Sequence, residues 1–422
     1  MINQQRFQTL APYKYFIACL ASIFFLGVGE GGFLIIVVGY LEEMSLALAL
    51  IGATMAFFSL VEGISNLLVG FLYRGINEKK IIRFAVIMQA AGCFLFAFQP
   101  TGATIWLAVI LNASGLGVIT VMVFTTAQLY IPPNSRMGLV VGLYTSSIAL
   151  GMAVGSPLVG YLTDTFGFPV AFAACSLLIL SIILPISTLP NKQHSAQDAV
   201  KPSPLFNHLK QSLNFKKLNQ PEVLTGMLSA FAMASSITIF HTLFPIYSLR
   251  AGLTYTTIGS LMGLKDIAAG VIRPLIGLRI ASSSVNTYNS VGLALLTLAI
   301  FSVPFTGLGW GLYLAVGVIV LAFGSSRVTS MTLVMEGQQK PSETSQRISL
   351  YNAMMTSGHI IGPGIGGILA GWLGISLTIS AVPAFMLSLF AAGRWSLRKI
   401  KASKIPAEQQ ESVELAVPRV DP

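Results

Sequence analysis

Charge is what this chain has least of. Asp, Glu, Lys and Arg make up 9% of its 422 residues, against roughly 25% in an ordinary soluble protein. Twenty-five basic and 15 acidic side chains cannot cover the surface of a soluble chain this long, so a water-soluble globular protein is excluded. Intrinsic disorder, a coiled coil and a nucleic-acid binder fall with it. Cysteine is nearly as scarce: Cys19, Cys93 and Cys175 lie far apart in apolar stretches. That excludes a disulfide scaffold and leaves no metal or redox spacing, so they read as small buried hydrophobes. The sequence has no His-Glu-x-x-His and no Gly-x-x-x-x-Gly-Lys-Ser/Thr, which argues against a metalloprotease and against direct ATP drive. No enzyme activity, cofactor or metal is expected.

Apolar residues, by contrast, make up 54% of the chain, with 40 glycines. A bilayer core needs roughly 20 apolar residues in helix. Runs of that kind lie near 15–40, 46–73, 81–98, 103–130, 137–162, 168–189, 222–249, 255–280, 287–306, 310–335, 347–372 and 374–393. Twelve membrane helices are therefore predicted. A β-barrel is excluded because these runs are continuous rather than alternating. The first run, from Lys14 to Tyr40, is too long for a cleaved signal peptide.

Basic residues orient the spans. Arg6, Lys14, Lys79, Lys80, Arg83, Arg136, Arg279, Lys340, Arg347, the lysines of 190–221 and the stretch from Arg394 to Lys404 share one side. The opposite connections are nearly free of basic residues apart from Arg250. Both termini are expected in the cytoplasm, with the protein in a bacterial cytoplasmic (inner) membrane.

A shift of 207 residues lays the second half on the first. Of fourteen glycines between 45 and 190, nine meet another glycine, among them Gly52/Gly259, Gly151/Gly358, Gly155/Gly362 and Gly167/Gly374. Chance would give about one. Six spans separate the paired positions, so the halves enter the membrane in the same sense. The predicted organisation is a six-helix bundle over 1–189, a linker over 190–221, a second bundle over 222–395 and a cytoplasmic tail over 396–422. Leu205, Phe206, Leu209, Leu213 and Leu218 would form one face of a helix on the inner surface, or a plain solvated linker.

Parallel six-helix repeats are the plan of the major facilitator superfamily, and the chain resembles that family over nearly its whole length. After span two the family shows Gly-x-Leu-x-Asp-Arg-x-Gly-Arg-Arg; here Gly70 and Leu72 match, Lys79 and Lys80 supply the basic end, and Arg74 stands at the acidic position. Span five carries Gly151-x-x-x-Gly155-Ser-Pro157-x-x-Gly160, similar to the glycine-proline motif of the efflux branches, and span eleven carries Gly358-x-x-x-Gly362-Pro363. These read as packing and hinge elements. The arginine that the efflux branch places in span four is replaced by Asn112, three residues before Gly115.

Ionisable groups inside membrane helices usually mark a pathway. Here they are Glu30, Glu62, Lys265, Asp266, Arg273 and Arg327, with His241 and His359. At 1.5 Å per residue, Glu30 and Asp266 fall near the centre of the membrane. Both are candidates for proton coupling, with a structural hydrogen bond as the other reading of Glu30. Glu62 and Arg273, nearer the cytoplasm, read as gating or structural groups. Lys265 and Asp266 are adjacent, point about 100° apart and are expected not to pair. By the family resemblance, helices one, four, seven and ten line the cavity, which implies Glu30, Asn112, His241 and Arg327 around the substrate, with Lys265 beside them. The histidines read equally as core polar groups.

The resemblance implies a monomer that moves a small organic molecule by alternating access. Proton-coupled export, favoured by the span-five motif, stands against proton-driven import of an organic anion such as a carboxylate-rich chelate or metabolite. Channels are disfavoured because no charged ring or filter loop is evident.

Overall fold

The computed structural model describes residues 2–72, 77–131, 137–190, 220–279, 284–335 and 341–403. They form α1 (Ile2–Glu43), α2 (Leu48–Leu72), α3 (Glu78–Phe96), α4 (Ala103–Leu129), α5 (Met137–Leu180), α6 (Ile183–Ser187), α7 (Pro221–Arg250), α8 (Tyr255–Arg279), α9 (Val285–Ser302), α10 (Trp310–Met335), α11 (Pro341–Leu373) and α12 (Ile375–Ser403). In lipid a helix satisfies its own backbone, and no strand occurs among the described residues. The expected linker helix, Arg74 and residues 404–422 lie outside them.

Eight stretches are long and apolar enough to cross a membrane by composition alone. One of these, Gly142–Ser187, holds two crossings. The sequence reading separated spans five and six at a connection containing Asp164, whereas helix here continues through Asp164 and breaks only at Gly167, whose φ is 80°. The chain doubles back there, since Met152 and Ile179 both face the Gly29–Gly31 stretch of α1. Helices α3, α8 and α11 are not among the eight.

Left-handed backbone marks one end of the bundle. Ser45, Gln99, Gly102, Gly167, Gly252, Gly307 and Gly374 all have positive φ and fall in short connections at that end, with Asn77 at the opposite end the one exception among the described residues. We call it the turn end, and the opposite, more basic end the loop end. Ser45 and Gly252, like Gly167 and Gly374, are 207 apart, so the turns repeat with the sequence.

Close approaches repeat as well. A Cβ on Gly151 would strike the Phe24 carbonyl, and one on Gly358 the Phe231 carbonyl. Gly155 faces the Val28 carbonyl as Gly362 faces that of Ser235; Gly52 faces Pro363 as Gly259 faces Ser156. Each contact is its partner shifted by 207. Glycine lets these backbones approach to a separation no side chain permits. The two sets of helices meet where α2 packs on α11, α5 on α8, and α1 on α7.

Candidate functional site

The first polar cluster lies where α1, α3 and α4 pack together. Gly29 and Gly31 on either side of Glu30 pack tightly against Ile179 and Met152, and Glu30 is only 3% exposed. Gln89 of α3 donates from Nε2 to Glu30 Oε2 at 3.1 Å. Glu30 Oε1, Gln89 Oε1 and both amide atoms of Asn112 are buried without a partner. Glu62 on α2 and Cys93 on α3 are its other ionisable neighbours. Asn112 is wholly buried, so neither it nor Glu30 presents surface to a cavity in this state. Among the described residues Glu62 has no ion pair and keeps partial exposure.

The second cluster is cationic and lies on α7, α8, α10 and α11. Lys265 donates to Asp266 at 2.5 Å, both residues buried. This corrects the expectation that neighbours on a helix would not pair. The four-carbon lysine stem curls back along the helix, and with no water in reach the carboxylate is its available partner. Asp266 is thus neutralised locally, and it makes no ion pair with Arg273, seven residues further along α8. Arg273 donates from Nη1 to the Thr145 carbonyl at 3.5 Å and lies 5.6 Å over the Phe323 ring, leaving Nε unpartnered. His241 Nε2 is buried without a partner, with Lys265 and His359 as its charged or titratable neighbours. The Arg327 guanidinium has no carboxylate within ion-pair reach among the described residues. Neither Glu62 nor Asp266 forms an ion pair with it.

The 207-residue repeat explains how that arginine is framed. In the first repeat the Tyr144 hydroxyl donates to the Thr120 carbonyl at 2.7 Å, and Thr120 Oγ1 bonds Asn66 Oδ1 at 3.2 Å. In the second, the Tyr351 hydroxyl donates to the Arg327 carbonyl at 3.3 Å. Tyr144 maps onto Tyr351, Thr120 onto Arg327 and Asn66 onto Arg273. One scaffold therefore holds a neutral pair in one repeat and two guanidiniums in the other. The sequence reading missed Tyr351, Asn66 and Gln89, although the offset that aligned the glycines also aligns the two tyrosines.

The turn end is closed across the repeats. Asp164 of α5 accepts from the backbone N–H of Tyr255 at 3.0 Å and of Thr256 at 2.7 Å, and from the Thr256 hydroxyl at 2.6 Å. Glu42 and Arg250 form an ion pair at 2.7 Å. The Tyr255 ring packs against Phe168 at 5.4 Å, continuous with Phe172, Tyr40, Phe96 and Phe33. At the loop end, Lys79 donates to the carbonyls of Ser187 and Leu189. Burial, and then the charge of Arg83, hold its ammonium below the usual lysine range. Gly70 lies in the last turn of α2, while Gly151, Gly155, Pro157, Gly358, Gly362 and Pro363 all sit in helix crossings rather than beside the charged groups.

Comparisons with known proteins follow this geometry. The profile described as the Major Facilitator Superfamily matches residues 19–339. Multidrug resistance protein 2 of Bacillus subtilis is 24% identical over 87% of this chain and 90% of its own. A proton-coupled antiporter flippase of Staphylococcus haemolyticus is 21% identical over 85% of this chain and 87% of its own. The crystal structure of a nucleoside transporter superposes with a TM-score of 0.73 at 14% identity, covering 90% of this chain and 99% of that one. At that identity the likeness speaks for the fold alone.

Proposed function

The chain belongs to the major facilitator superfamily, as a membrane transporter and not an enzyme, and we propose that it couples proton movement to the transport of a small organic molecule by alternating access. The Glu30–Gln89 pair carries this reading. An ionised carboxylate so buried, with no counter-ion, would be strongly disfavoured. The neutral acid fits. One amide N–H already bonds Oε2, and a proton on Glu30 would join the two oxygens left over, Oε1 of Glu30 and Oε1 of Gln89. Loading a proton supplies a second bond to the pair, and releasing it removes that bond, leaves the Gln89 N–H on Oε2 and charges the interior of the first repeat.

The positive-inside asymmetry supports placing the turn end outside. With that end bridged and Glu62, Arg273 and Arg327 partly exposed, the conformation reads as inward-facing. The bundles over 1–189 and 222–395 would rock against each other across the α2–α11 and α5–α8 crossings. Export is the favoured direction, supported by the glycine-proline pattern of α5 and by relatives whose names are a multidrug resistance protein and a proton-coupled antiporter. The second reading, proton-driven uptake of an organic anion, rests on the guanidinium of Arg327, which has no carboxylate within ion-pair reach among the described residues.

Proteoliposomes with an imposed pH gradient test the coupling, with ethidium and a panel of organic anions as probes. Glu30→Gln keeps the shape and the amide contact but cannot ionise. Gradient-driven movement is expected to disappear while probe exchange at equal pH survives. Undiminished gradient-driven movement in that variant would remove Glu30 from the coupling role.

A further inference from the structure

Around Arg327, charges do not balance. Lys265 is cancelled by Asp266, which leaves Arg273 and Arg327 with no acidic partner in ion-pair reach among the described residues. The Arg273 stem runs beside Gly324, 3.9 Å from where a Cβ would stand, and its guanidinium covers the Phe323 ring. Arg327 is one turn further along the same helix, three residues from Gly324 and four from Phe323, on the face Arg273 approaches. Arg327 acts electrostatically on Arg273, on Tyr351 and on His359. Asp266, two turns back on α8 and bonded to Lys265, also acts on Arg273 from outside ion-pair reach, while α5 brings the Thr145 carbonyl, α10 an aromatic ring, and α11 a tyrosine hydroxyl and an imidazole. Both arginines keep partial exposure.

Two like charges held together in a membrane protein are unfavourable unless something else neutralises them. At the equivalent place in the first repeat, Asn66 and Thr120 need no ligand, because they bond each other. The fold thus tolerates a neutral pair here and does not require the arginines. We infer that Arg273 and Arg327 form a two-guanidinium site for a substrate carrying two negative charges, as either a phosphoryl group or two carboxylates. Planar guanidiniums grip both groups through paired N–H donors, which a lysine ammonium does not reproduce. Arg273 is then a substrate-binding group rather than a gating one. The inference rests on the transporter reading and names its substrate class.

Thermal unfolding of the purified full chain in nanodiscs, at constant ionic strength, provides the test. Phosphate and succinate are the dianionic probes, with acetate and chloride as singly charged controls. Stabilisation by succinate, phosphate or both, well beyond acetate, is expected. Succinate alone would identify a dicarboxylate, and phosphate alone a phosphoryl group. Arg273→Gln and Arg327→Gln should each raise the half-saturating concentration about 10-fold or more, as loss of a charge-assisted bidentate bond implies. If either fails to fold, the Lys variant keeps the charge, loses the fork and should still bind about 10-fold more weakly. Acetate matching the dianions, no dianion effect, or an effect unchanged in the arginine variants would overturn the site.

The dianion effect is read on the unaltered chain, and coupling on Glu30→Gln. If that effect is absent while Glu30→Gln still uncouples transport, only the dianion site is wrong. If it persists while Glu30→Gln transports normally, only the coupling assignment is wrong.

Discussion

Asp164 and Thr256, on helices from opposite repeats, are joined by two hydrogen bonds: the Asp164 carboxylate accepts from the Thr256 N–H at 2.7 Å and from its hydroxyl at 2.6 Å. With the Tyr255 N–H on the other carboxylate oxygen, Asp164 caps the first turn of α8 from outside that helix. A helix N-terminus has free N–H groups and a partial positive charge, and an aspartate satisfies both. The cap and the closure of the turn end are thus the same contact, and opening that end must break it.

Asp164→Ala should therefore shift the conformational balance. Loss of an N-cap is typically about 1 kcal/mol, a factor of roughly five in population. Spin labels at Phe166 and Ala251, both exposed at the turn end, would report it as growth of a longer-distance population. An unchanged distance distribution would show that the cap does not hold the end closed.

The Lys265–Asp266 pair makes a stability prediction. Asp266→Ala leaves a buried ammonium without a partner, which costs about 3–5 kcal/mol, so folded yield should fall sharply. The double variant Lys265→Met with Asp266→Leu removes both charges at similar volume and should restore yield to near that of the unaltered chain. Size-exclusion profiles of the three proteins decide this. Failure of the double variant to recover would mean that the pair does more than neutralise itself.

Repeated close approaches should give repeated penalties. Gly155→Ala and Gly362→Ala each force a methyl group into a backbone carbonyl of the crossing helix, and overpacking of this kind costs about 1–3 kcal/mol. Gly371→Ala, in α11 where nothing lies within 4 Å, is the control and should be silent. Thermal melts that rank all three alike would contradict the packing.

Orientation can be tested on a low background, because Cys19, Cys93 and Cys175 are all buried. Thr101 and Lys80 are exposed at opposite ends. In intact cells, a cysteine replacing Thr101 should react with a membrane-impermeant thiol reagent, and one replacing Lys80 should not. The reverse pattern would invert the assignment of the turn end to the outside.

The sequence by itself determined the membrane class, the helical architecture and the repeat. Each follows from one-dimensional quantities: the scarcity of charge, the length of apolar runs against bilayer thickness, and glycines at a constant offset. It also located Glu30, Asp266 and Arg327, because an ionisable residue in an apolar run stands out without any coordinates. Only the tertiary structure decided what those groups touch. Gln89 meets Glu30 across 59 positions of chain, and no spacing rule links residues on separate helices. The Lys265–Asp266 pair depended on how a flexible stem folds once water is gone, which helix periodicity does not specify. That no carboxylate among the described residues lies within ion-pair reach of Arg327 is likewise a three-dimensional fact. Depth comes from counting residues along one helix, whereas contact depends on how helices rotate and cross, and here the glycine crossings fix that geometry.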